Sequence, residues 1–383
     1  MKAIDGEKNR TKEAALFPCL EDSLHHGSGR PPEHHGSGNL QSIRETTMFE
    51  ARLYQKEEDR KVRCYLCHHR CLIKEGKRGI CGVRENQGGT LYSLVYGKPI
   101  AWHVDPIEKK PLFHFLPGSS SFSVATAGCN FGCRFCQNAD ISQAGDRGNI
   151  PGTAMTPEEI VAAALRGRCQ SIAYTYTEPT IFFEYAQDIA LLAEAQGLKN
   201  VFVTNGYMTK EMLESLYPYL HAANVDLKSF SEAFYKNQCG AKLAPVLETL
   251  KIMKNQDIWV EITTLIIPTL NDSKEELRRL AHFIADDLGP ETPWHISRFH
   301  PTYQITDLPM TPVATLQQAW DIGKEAGLRY VYTGNVPGDP GEKTYCHQCG
   351  HLLLDRFGFS ILKNNLQRGN CPECHTPLGG RGL

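Results

Sequence analysis

The sequence predicts an α/β fold, a partial (β/α) barrel preceded by a four-cysteine module and followed by a zinc-ribbon-like module. Between residues 121 and 335, short β-branched runs alternate with amphipathic helices, which implies parallel strands joined by helical crossovers. Four cysteines crowd the region before this stretch, and two Cys-x2-Cys pairs follow it. Six or seven strand–helix units favour a barrel over an open doubly wound sheet, although periodicity alone does not decide between them.

Four segments follow from this pattern. Residues 1–47 are polar and repeat His-His-Gly-Ser-Gly at 25–29 and 34–38, so we expect a disordered arm that cannot bury a core. The other expected segments are a four-Cys metal-binding region at 48–118, the core barrel at 119–340 and the zinc-ribbon-like module at 341–383.

Composition restricts the class of protein. The chain has 383 residues, 41% hydrophobic and 22% charged, as globular proteins do. A formal net charge of −2 gives no global basic field for nucleic acid or anionic lipid, although a local patch remains open. No run of 18 apolar residues occurs, and the N-terminus lacks a secretory signal. We therefore expect a cytoplasmic protein whose 14 cysteines bind metal more than they form disulfides.

Sequence signals for the ends of helices support the predicted barrel. Thr156 with Glu159, and Ser273 with Glu276, have the spacing of capping boxes, and Gly197 suits a helix C-cap. In such a barrel the functional groups lie at the carboxyl ends of the strands. The predicted strands are Phe122–Ala127, Ser171–Tyr176, Asn200–Thr204, Asn224–Leu227, Trp259–Ile267, Trp294–Phe299 and Tyr330–Thr333.

A cysteine loop with the spacing C-x3-C-x2-C follows the first predicted strand. Its thiolates, Cys129, Cys133 and Cys136, can each hold one iron of a four-iron cluster, leaving the fourth iron without a protein thiolate. An open coordination position is what metal-centred chemistry needs. A structural zinc site is the alternative, but closed zinc sites take four ligands and no fourth is obvious nearby.

Polar residues follow the other strands. Alternation places Asp226 and Lys228 on one face, where they could orient a charged ligand or form a structural ion pair. An exposed turn is the alternative reading of Glu178 taken alone. The candidates are Glu178 after the second strand, Thr204 and Asn205 after the third, Asp226 and Lys228 after the fourth, and His300 after the sixth.

Two further sets of cysteines predict metal sites outside the barrel. The upstream set could hold zinc or an auxiliary cluster, and its compactness slightly favours structural zinc, with His68 or His69 able to replace one thiolate. The downstream set has zinc-ribbon spacing, with a rubredoxin-like iron site as the alternative. The upstream ligands are Cys64, Cys67, Cys71 and Cys81, and the downstream ligands are Cys346, Cys349, Cys371 and Cys374.

The ordered combination of these motifs resembles the radical S-adenosylmethionine (SAM) superfamily, whose cluster motif carries an aromatic residue, here Phe135, before its last cysteine. Within it, the chain resembles the radical SAM protein of the AmmeMemoRadiSam system, a relative of the activating enzymes of pyruvate formate-lyase and other glycyl-radical enzymes. The resemblance covers about residues 60–380. Its other motifs are Ile107–His114, Tyr174–Thr180 and Val331–Gly338.

The resemblance implies a 4Fe-4S cluster on Cys129, Cys133 and Cys136 that binds S-adenosyl-L-methionine at its open iron. One electron then cleaves SAM to methionine and a 5′-deoxyadenosyl radical, which abstracts hydrogen from an unidentified substrate. The resemblance also implies that Glu178 binds the SAM amino group and that His300 lies near the ribose. Tyr176 and Thr177 depart from the Gly-Gly that usually precedes this Glu.

The resemblance further implies an external low-potential electron donor of the flavodoxin or ferredoxin type, and Memo-like and AMMECR1-like partner proteins. An activating enzyme that installs a glycyl radical on a partner protein is one alternative. A tRNA- or nucleic-acid-modifying radical enzyme is another, and a non-enzymatic zinc protein that binds nucleic acid is a third. The near-neutral charge and the open three-cysteine loop argue against the third. The sequence does not identify the substrate.

Overall fold

An eight-stranded sheet organises residues 48–144 and 149–383, the part of the chain that this computed structural model describes. Its last seven strands are parallel and follow one another in chain order, whereas a doubly wound sheet reverses its order. Within the described residues, the first and last strands of the sheet do not pair with each other. The sheet is therefore a partial barrel, as expected, and the predicted arm at 1–47 lies outside the described residues.

The strands before the parallel run form two small antiparallel sheets and the first strand of the barrel sheet. One small sheet has the order β1-β6-β5 and the other β2-β3-β4. The strands are β1 (Phe49–Glu50), β2 (Tyr54–Lys56), β3 (Val62–Cys64), β4 (Leu72–Ile73), β5 (Arg84–Gln87), β6 (Thr90–Ser93) and β7 (Pro99–Pro106).

All seven predicted barrel strands are present, each shifted by no more than a few residues. They are β8 (Ser120–Thr126), β9 (Ser171–Tyr174), β10 (Lys199–Thr204), β11 (Ala222–Asp226), β12 (Trp259–Ile266), β13 (Trp294–Arg298) and β14 (Val331–Gly334). A three-stranded sheet follows them, formed by β15 (Thr344–Tyr345), β16 (Leu352–Phe357) and β17 (Ser360–Asn364).

Helices connect the parallel strands and cover the outside of the sheet. Two of them continue as π-helical turns, at Tyr235–Cys239 and Phe283–Leu288. The α-helices are α1 (Ala139–Ser142), α2 (Pro157–Arg166), α3 (Phe183–Ala195), α4 (Lys210–Leu216), α5 (Glu232–Phe234), α6 (Ala244–Asn255), α7 (Lys274–His282) and α8 (Val313–Glu325). No helix among the described residues is long and apolar enough to span a bilayer.

The two predicted capping boxes have different outcomes. At α2, the Thr156 side chain accepts a hydrogen bond from Glu159 N, and Glu159 accepts one from Thr156 N, so the box is complete. At α7, Ser273 caps the helix, but the Glu276 carboxylate accepts from Phe230 N at 2.9 Å instead of from the cap residue. The second box is therefore half formed, because a neighbouring loop offers its own backbone donor.

The expected boundary between residues 118 and 119 does not separate two packing units. Strand β7 lies before this boundary, yet it pairs antiparallel with β8 along most of its length. Buried side chains of the four-Cys region, such as Val62 and Leu91, belong to the same core cluster as the barrel. The polar residues and the prolines at both ends of β7 hid this strand in the sequence.

A buried ion pair fastens the four-Cys region to the side of the barrel. The Arg84 guanidinium donates to both carboxylate oxygens of Glu184 on α3, at 2.8 and 3.0 Å, and both side chains are buried. Glu184 also accepts from Arg52 N at 2.7 Å. Such a bidentate pair fixes orientation as well as distance.

The lower end of the barrel is closed around the carboxylate of Glu261 on β12. Glu261 is fully buried and accepts from Phe113 N at 3.0 Å and His114 N at 2.8 Å. It also accepts from Trp259 Nε1 at 3.0 Å, and one of its oxygens lies 2.7 Å from His295 Nε2. One side chain thus holds the segment that connects β7 to β8 at the lower end of the barrel.

The C-terminal sheet joins the same closure. Arg356 on β16 donates to Phe113 O at 2.7 Å, and its guanidinium lies 4.3 Å from the centroid of the Phe113 ring. His114 and Tyr332 of β14 share a hydrogen bond of 2.6 Å. Barrel, connecting segment and C-terminal sheet are therefore packed as one unit.

We expect Glu261→Ala to lower the free energy of unfolding by about 3–5 kcal/mol, because it leaves several buried donors without an acceptor. Urea unfolding under anaerobic conditions measures the change. Glu325→Ala, at an exposed position of α8, is the control and should change stability by less than about 0.5 kcal/mol. Equal unfolding midpoints for the two variants would contradict the role of Glu261.

Candidate functional site

The cysteine loop leaves β8 through a glycine that no other residue can replace without movement. Gly128 has φ of 97°, and a Cβ there would lie 2.6 Å from Val83 Cγ1 and 2.9 Å from Cys81 O. Gly132, by contrast, has open space around it, so packing does not require a glycine there. Its amide instead anchors the loop by donating to Cys239 O at 3.0 Å.

A cavity of about 570 Å³ lies above the carboxyl ends of the parallel strands. It brings together residues that are far apart in the sequence but adjacent at strand ends, as expected for a barrel. Of the predicted site residues it contains Cys129, Cys133, Phe135, Cys136, Glu178, Thr204, Asn205, Asp226 and Lys228.

The Glu178 carboxylate ties two strand ends together beneath this cavity. Its Oε1 accepts from Thr180 N at 3.0 Å and from Thr204 Oγ1 at 2.7 Å, and its Oε2 accepts from Asn205 N at 2.8 Å. Burial raises the pKa of Glu178. Within the described residues Oε2 has a single donor, so it can accept a further hydrogen bond from the cavity side.

The same network reaches the cysteine loop. Asn205 Nδ2 donates to Asn130 Oδ1 at 2.7 Å, and Asn130 follows Cys129 directly. Asn130 Nδ2 is buried and has no partner among the described residues. A buried amide without an acceptor costs free energy, so its presence beside the cysteines is consistent with an acceptor that binds there.

Asp226 and Lys228 form an ion pair of 2.9 Å on the wall of the cavity. Burial alone would lower the pKa of Lys228, but Asp226 and then Cys133 raise it well above its usual value. The Lys228 ammonium lies 5.9 Å from the centroid of the Phe135 ring. The sequence left open whether these two residues orient a charged ligand or form a structural ion pair. Both are compatible with the structure, because the residues pair and also face the cavity.

Another wall of the cavity carries Lys109, Lys110 and Tyr176, and the sequence did not predict their shared partner, Asp105. Lys109 and Lys110 both donate to Asp105, at 2.8 and 2.7 Å, and Tyr176 OH donates to the same carboxylate. Burial lowers the pKa of Lys110 to about 8. Although burial raises the pKa of Asp105, the hydrogen bonds from Lys109, Lys110 and Tyr176 hold it well below its usual range. Only pairing of β7 with β8 brings Asp105 to this wall.

Tyr176 stands where the sequence departs from the usual Gly-Gly. It adopts a left-handed conformation with φ of 63°, which costs a non-glycine residue about 1 kcal/mol. Its carbonyl accepts from Asn138 Nδ2 at 2.7 Å, so the backbone there is held against the cysteine loop. The left-handed geometry that glycine favours is thus kept, while the tyrosine adds a side chain to the cavity wall.

His300 does not lie where we expected. It is exposed and is not among the residues that line the cavity. Ser297 and Asn335 occupy the ends of the last two strands instead, joined by a hydrogen bond of 2.9 Å, and Phe359 of the C-terminal sheet lies beside them. At this strand the cavity is lined by Ser297, which lies within β13, and not by His300, which follows the strand.

The residues of the cysteine loop fit a three-thiolate cluster. Cys129, Cys133 and Cys136 line one cavity, yet their three sulfur atoms do not all lie within 4.8 Å of one another, as the ligands of a single ion would. Spread thiolates suit a cluster in which each sulfur binds a different iron. The unpartnered Asn130 amide is consistent with this assignment.

The downstream cysteines have a different geometry. The sulfur atoms of Cys346, Cys349, Cys371 and Cys374 all lie within 4.8 Å of one another. The distance between the Cys346 and Cys374 sulfurs is 3.5 Å, and between those of Cys349 and Cys371 it is 3.6 Å. Four thiols at this spacing match one tetrahedral ion, because bonds of about 2.3 Å place its ligands about 3.8 Å apart.

Comparison with known proteins agrees with this geometry. Residues 123–284 match the family model of the radical SAM superfamily. The chain is 50% identical over 329 residues to an uncharacterised protein of Methanocaldococcus jannaschii, covering 85% of this chain and 98% of that one. It is 29% identical over 164 residues to the pyruvate formate-lyase-activating enzyme of Clostridium pasteurianum, covering 41% and 66%.

Solved structures include similar chains. A radical SAM methyltransferase from Sphaerobacter thermophilus is 18% identical, covers 60% of this chain and 71% of its own, and superposes with a TM-score of 0.46. The family match starts within β8 and includes the cysteine loop. The chain therefore belongs to the radical SAM superfamily and is a SAM-dependent iron–sulfur enzyme with homology to the activating enzymes of pyruvate formate-lyase.

Proposed function

We propose that Cys129, Cys133 and Cys136 hold a 4Fe-4S cluster and that the chain cleaves SAM reductively in order to abstract hydrogen from a substrate. The observation that carries this proposal is the single cavity shared by the three cysteines and the polar strand ends. When bound, the cluster supplies the electron that breaks a carbon–sulfur bond of SAM, which leads to 5′-deoxyadenosine as the measurable product.

The polar strand ends then bind and orient SAM. The free lone pair of Glu178 Oε2 accepts a hydrogen bond from the SAM ammonium group, and the Thr204 and Asn205 contacts keep that carboxylate in place. Asp226 and Lys228 present opposite charges at the next strand end, where they complement the charged amino-acid part of SAM. These contacts position the cofactor without taking part in bond breaking.

The wall formed by Lys109, Lys110 and Tyr176 is available for the substrate. Lys109 and Lys110 share one carboxylate, so the group carries a net positive charge toward the cavity. Tyr176 and Phe359 add aromatic surface around it. A ligand bound between the two walls would displace water from the reacting atoms, which protects a reactive species from side reactions.

A second candidate is an activating enzyme that installs a glycyl radical on a partner protein. Two relatives support it by name, the pyruvate formate-lyase-activating enzyme and a putative glycyl-radical enzyme activating enzyme of Methanocaldococcus jannaschii, 28% identical over 178 residues. In that case the hydrogen donor is a backbone glycine of another protein. A glycyl radical signal after incubation with a candidate partner would distinguish the two.

We also propose an external low-potential electron donor of the flavodoxin or ferredoxin type, since the cluster must be reduced before each cleavage. Memo-like and AMMECR1-like proteins are proposed partners, supported by the motif order alone. Co-purification of the tagged chain with either protein from cells that express both tests this association.

We expect Cys133→Ala to abolish release of 5′-deoxyadenosine after dithionite reduction with SAM, because one iron loses its thiolate. The fold should survive, since the loop lies on a preformed scaffold. Product is measured by chromatography and folding by circular dichroism. Cys169→Ala, which removes a buried cysteine outside the cavity, is the matched control and should retain activity. Undiminished product from Cys133→Ala would overturn the assignment.

We further propose that the downstream cysteines hold one structural zinc ion. Cys349→Ser should remove about one zinc per chain and make residues 341–383 sensitive to limited proteolysis, because a structural metal contributes to folding. Metal analysis and mass spectrometry of the fragments measure both effects. Iron in place of zinc would identify a rubredoxin-like site, and unchanged proteolysis would remove the structural role.

A further inference from the structure

We propose that the upstream cysteines, Cys64, Cys67, Cys71 and Cys81, bind a second 4Fe-4S cluster and not a zinc ion. The sequence left this choice open with a slight preference for zinc. Two features of the structure favour a cluster, the separation of the sulfur atoms and the cavity between them, and the buried cation beside the cavity is compatible with it. The inference goes beyond the proposed function, because it does not require SAM cleavage.

The sulfur atoms stand too far apart for one ion. Among the described residues, the sulfur atoms of the downstream cysteines, Cys346, Cys349, Cys371 and Cys374, all lie within 4.8 Å of one another. No three of the upstream sulfur atoms lie that close together. A tetrahedral zinc ion holds its thiolates about 3.8 Å apart. In a cluster each thiolate binds a different iron. The iron and sulfide atoms between the thiolates therefore keep the thiolate sulfurs farther apart than in a zinc site.

The upstream set shares this property with the cysteine loop of the barrel. The sulfurs of Cys129, Cys133 and Cys136 are also outside the 4.8 Å limit. The described part of the chain therefore contains one set of closely spaced thiols, the downstream cysteines, and two sets whose thiols are farther apart. Closely spaced thiols suit a single metal ion, whereas thiols that are farther apart suit a cluster.

The space between the upstream thiols is a small enclosed cavity. All four cysteines line it, and its other walls are mostly aliphatic. A metal ion bound directly to four thiolates leaves no such space, whereas a cluster brings inorganic sulfide and iron that occupy it. The aliphatic side chains on the walls are Leu66, Ile73, Ile80 and Ile181.

A buried cation faces the same cavity. Arg84 lines it, its side chain is 2% exposed, and Glu184 neutralises it from one side. Arg84 Nε is buried and has no partner among the described residues. A sulfur atom of a bound cluster would provide the acceptor that this N–H group lacks, while Glu184 already balances the charge of Arg84.

The second site adjoins the cysteine loop of the barrel. His69 Nε2 shares a hydrogen bond of 2.7 Å with Asn130 O, next to Cys129. Cys81 O lies 2.9 Å from where a Cβ on Gly128 would be, so the loops are in direct backbone contact. This hydrogen bond also engages His69 with the neighbouring loop, which leaves four thiolates as the ligand set.

The test uses a variant that leaves the upstream site intact. Cys129→Ala, Cys133→Ala and Cys136→Ala are combined, and the full chain is purified and reconstituted anaerobically with iron and sulfide. We expect about four irons and four acid-labile sulfides per chain, and a reduced 4Fe-4S signal in electron paramagnetic resonance. Wild-type protein should contain about twice these amounts. A triple variant without sulfide, or with two irons, or with zinc in place of iron, would overturn the proposal.

The converse variants separate the three sites. Cys67→Ala combined with Cys71→Ala should lower the iron content of the chain by about half, whereas Cys349→Ser should leave iron and sulfide unchanged. If the upstream double variant does not fold, the triple variant still decides the question. Failure of the proposed function would show instead as wild-type protein that carries both clusters but releases no 5′-deoxyadenosine.

Discussion

The carboxylate of Glu261 is the constraint on which the arrangement of this chain depends. Glu261 lies near the start of β12, at the lower end of the barrel, and a buried carboxylate there needs donors. The backbone amides of Phe113 and His114 supply them, which holds the segment between β7 and β8 in the lower end of the barrel. Arg356 then holds the C-terminal sheet against the same segment. A buried polar group thus specifies the packing of three parts of the chain.

This closure decides what faces the cavity. Because β7 pairs with β8, Asp105 holds Lys109 and Lys110 at the wall of the cavity that the cysteine loop also lines. Because the C-terminal sheet packs beside β14, Phe359 also reaches the cavity. Under the proposed function, the side of the cavity that binds SAM comes from strand ends, and the side left for the substrate comes from segments added to the barrel. Relatives with the same barrel can therefore act on different substrates.

The two sets of four cysteines differ in how the fold arranges their sulfur atoms. The upstream and downstream sets each contain four cysteines, and both match patterns that bind zinc. In the ribbon, two knuckles face each other and bring all four sulfurs close together. In the upstream module, short strands hold the sulfurs around an enclosed space that Arg84 borders. The distinction depends on distances across the fold, which residue spacing does not encode.

Local patterns in the sequence determined the elements of this protein. Seven strands, the complete capping box at Thr156, the cysteine loop and the alternation of Asp226 with Lys228 could all be predicted, because each depends on neighbours within a few residues. The tertiary structure alone decided that β7 belongs to the barrel sheet, that His300 lies outside the cavity and that Asp105 binds the two lysines on the cavity wall. These depend on pairing and burial between distant segments, whose free energies no local pattern records.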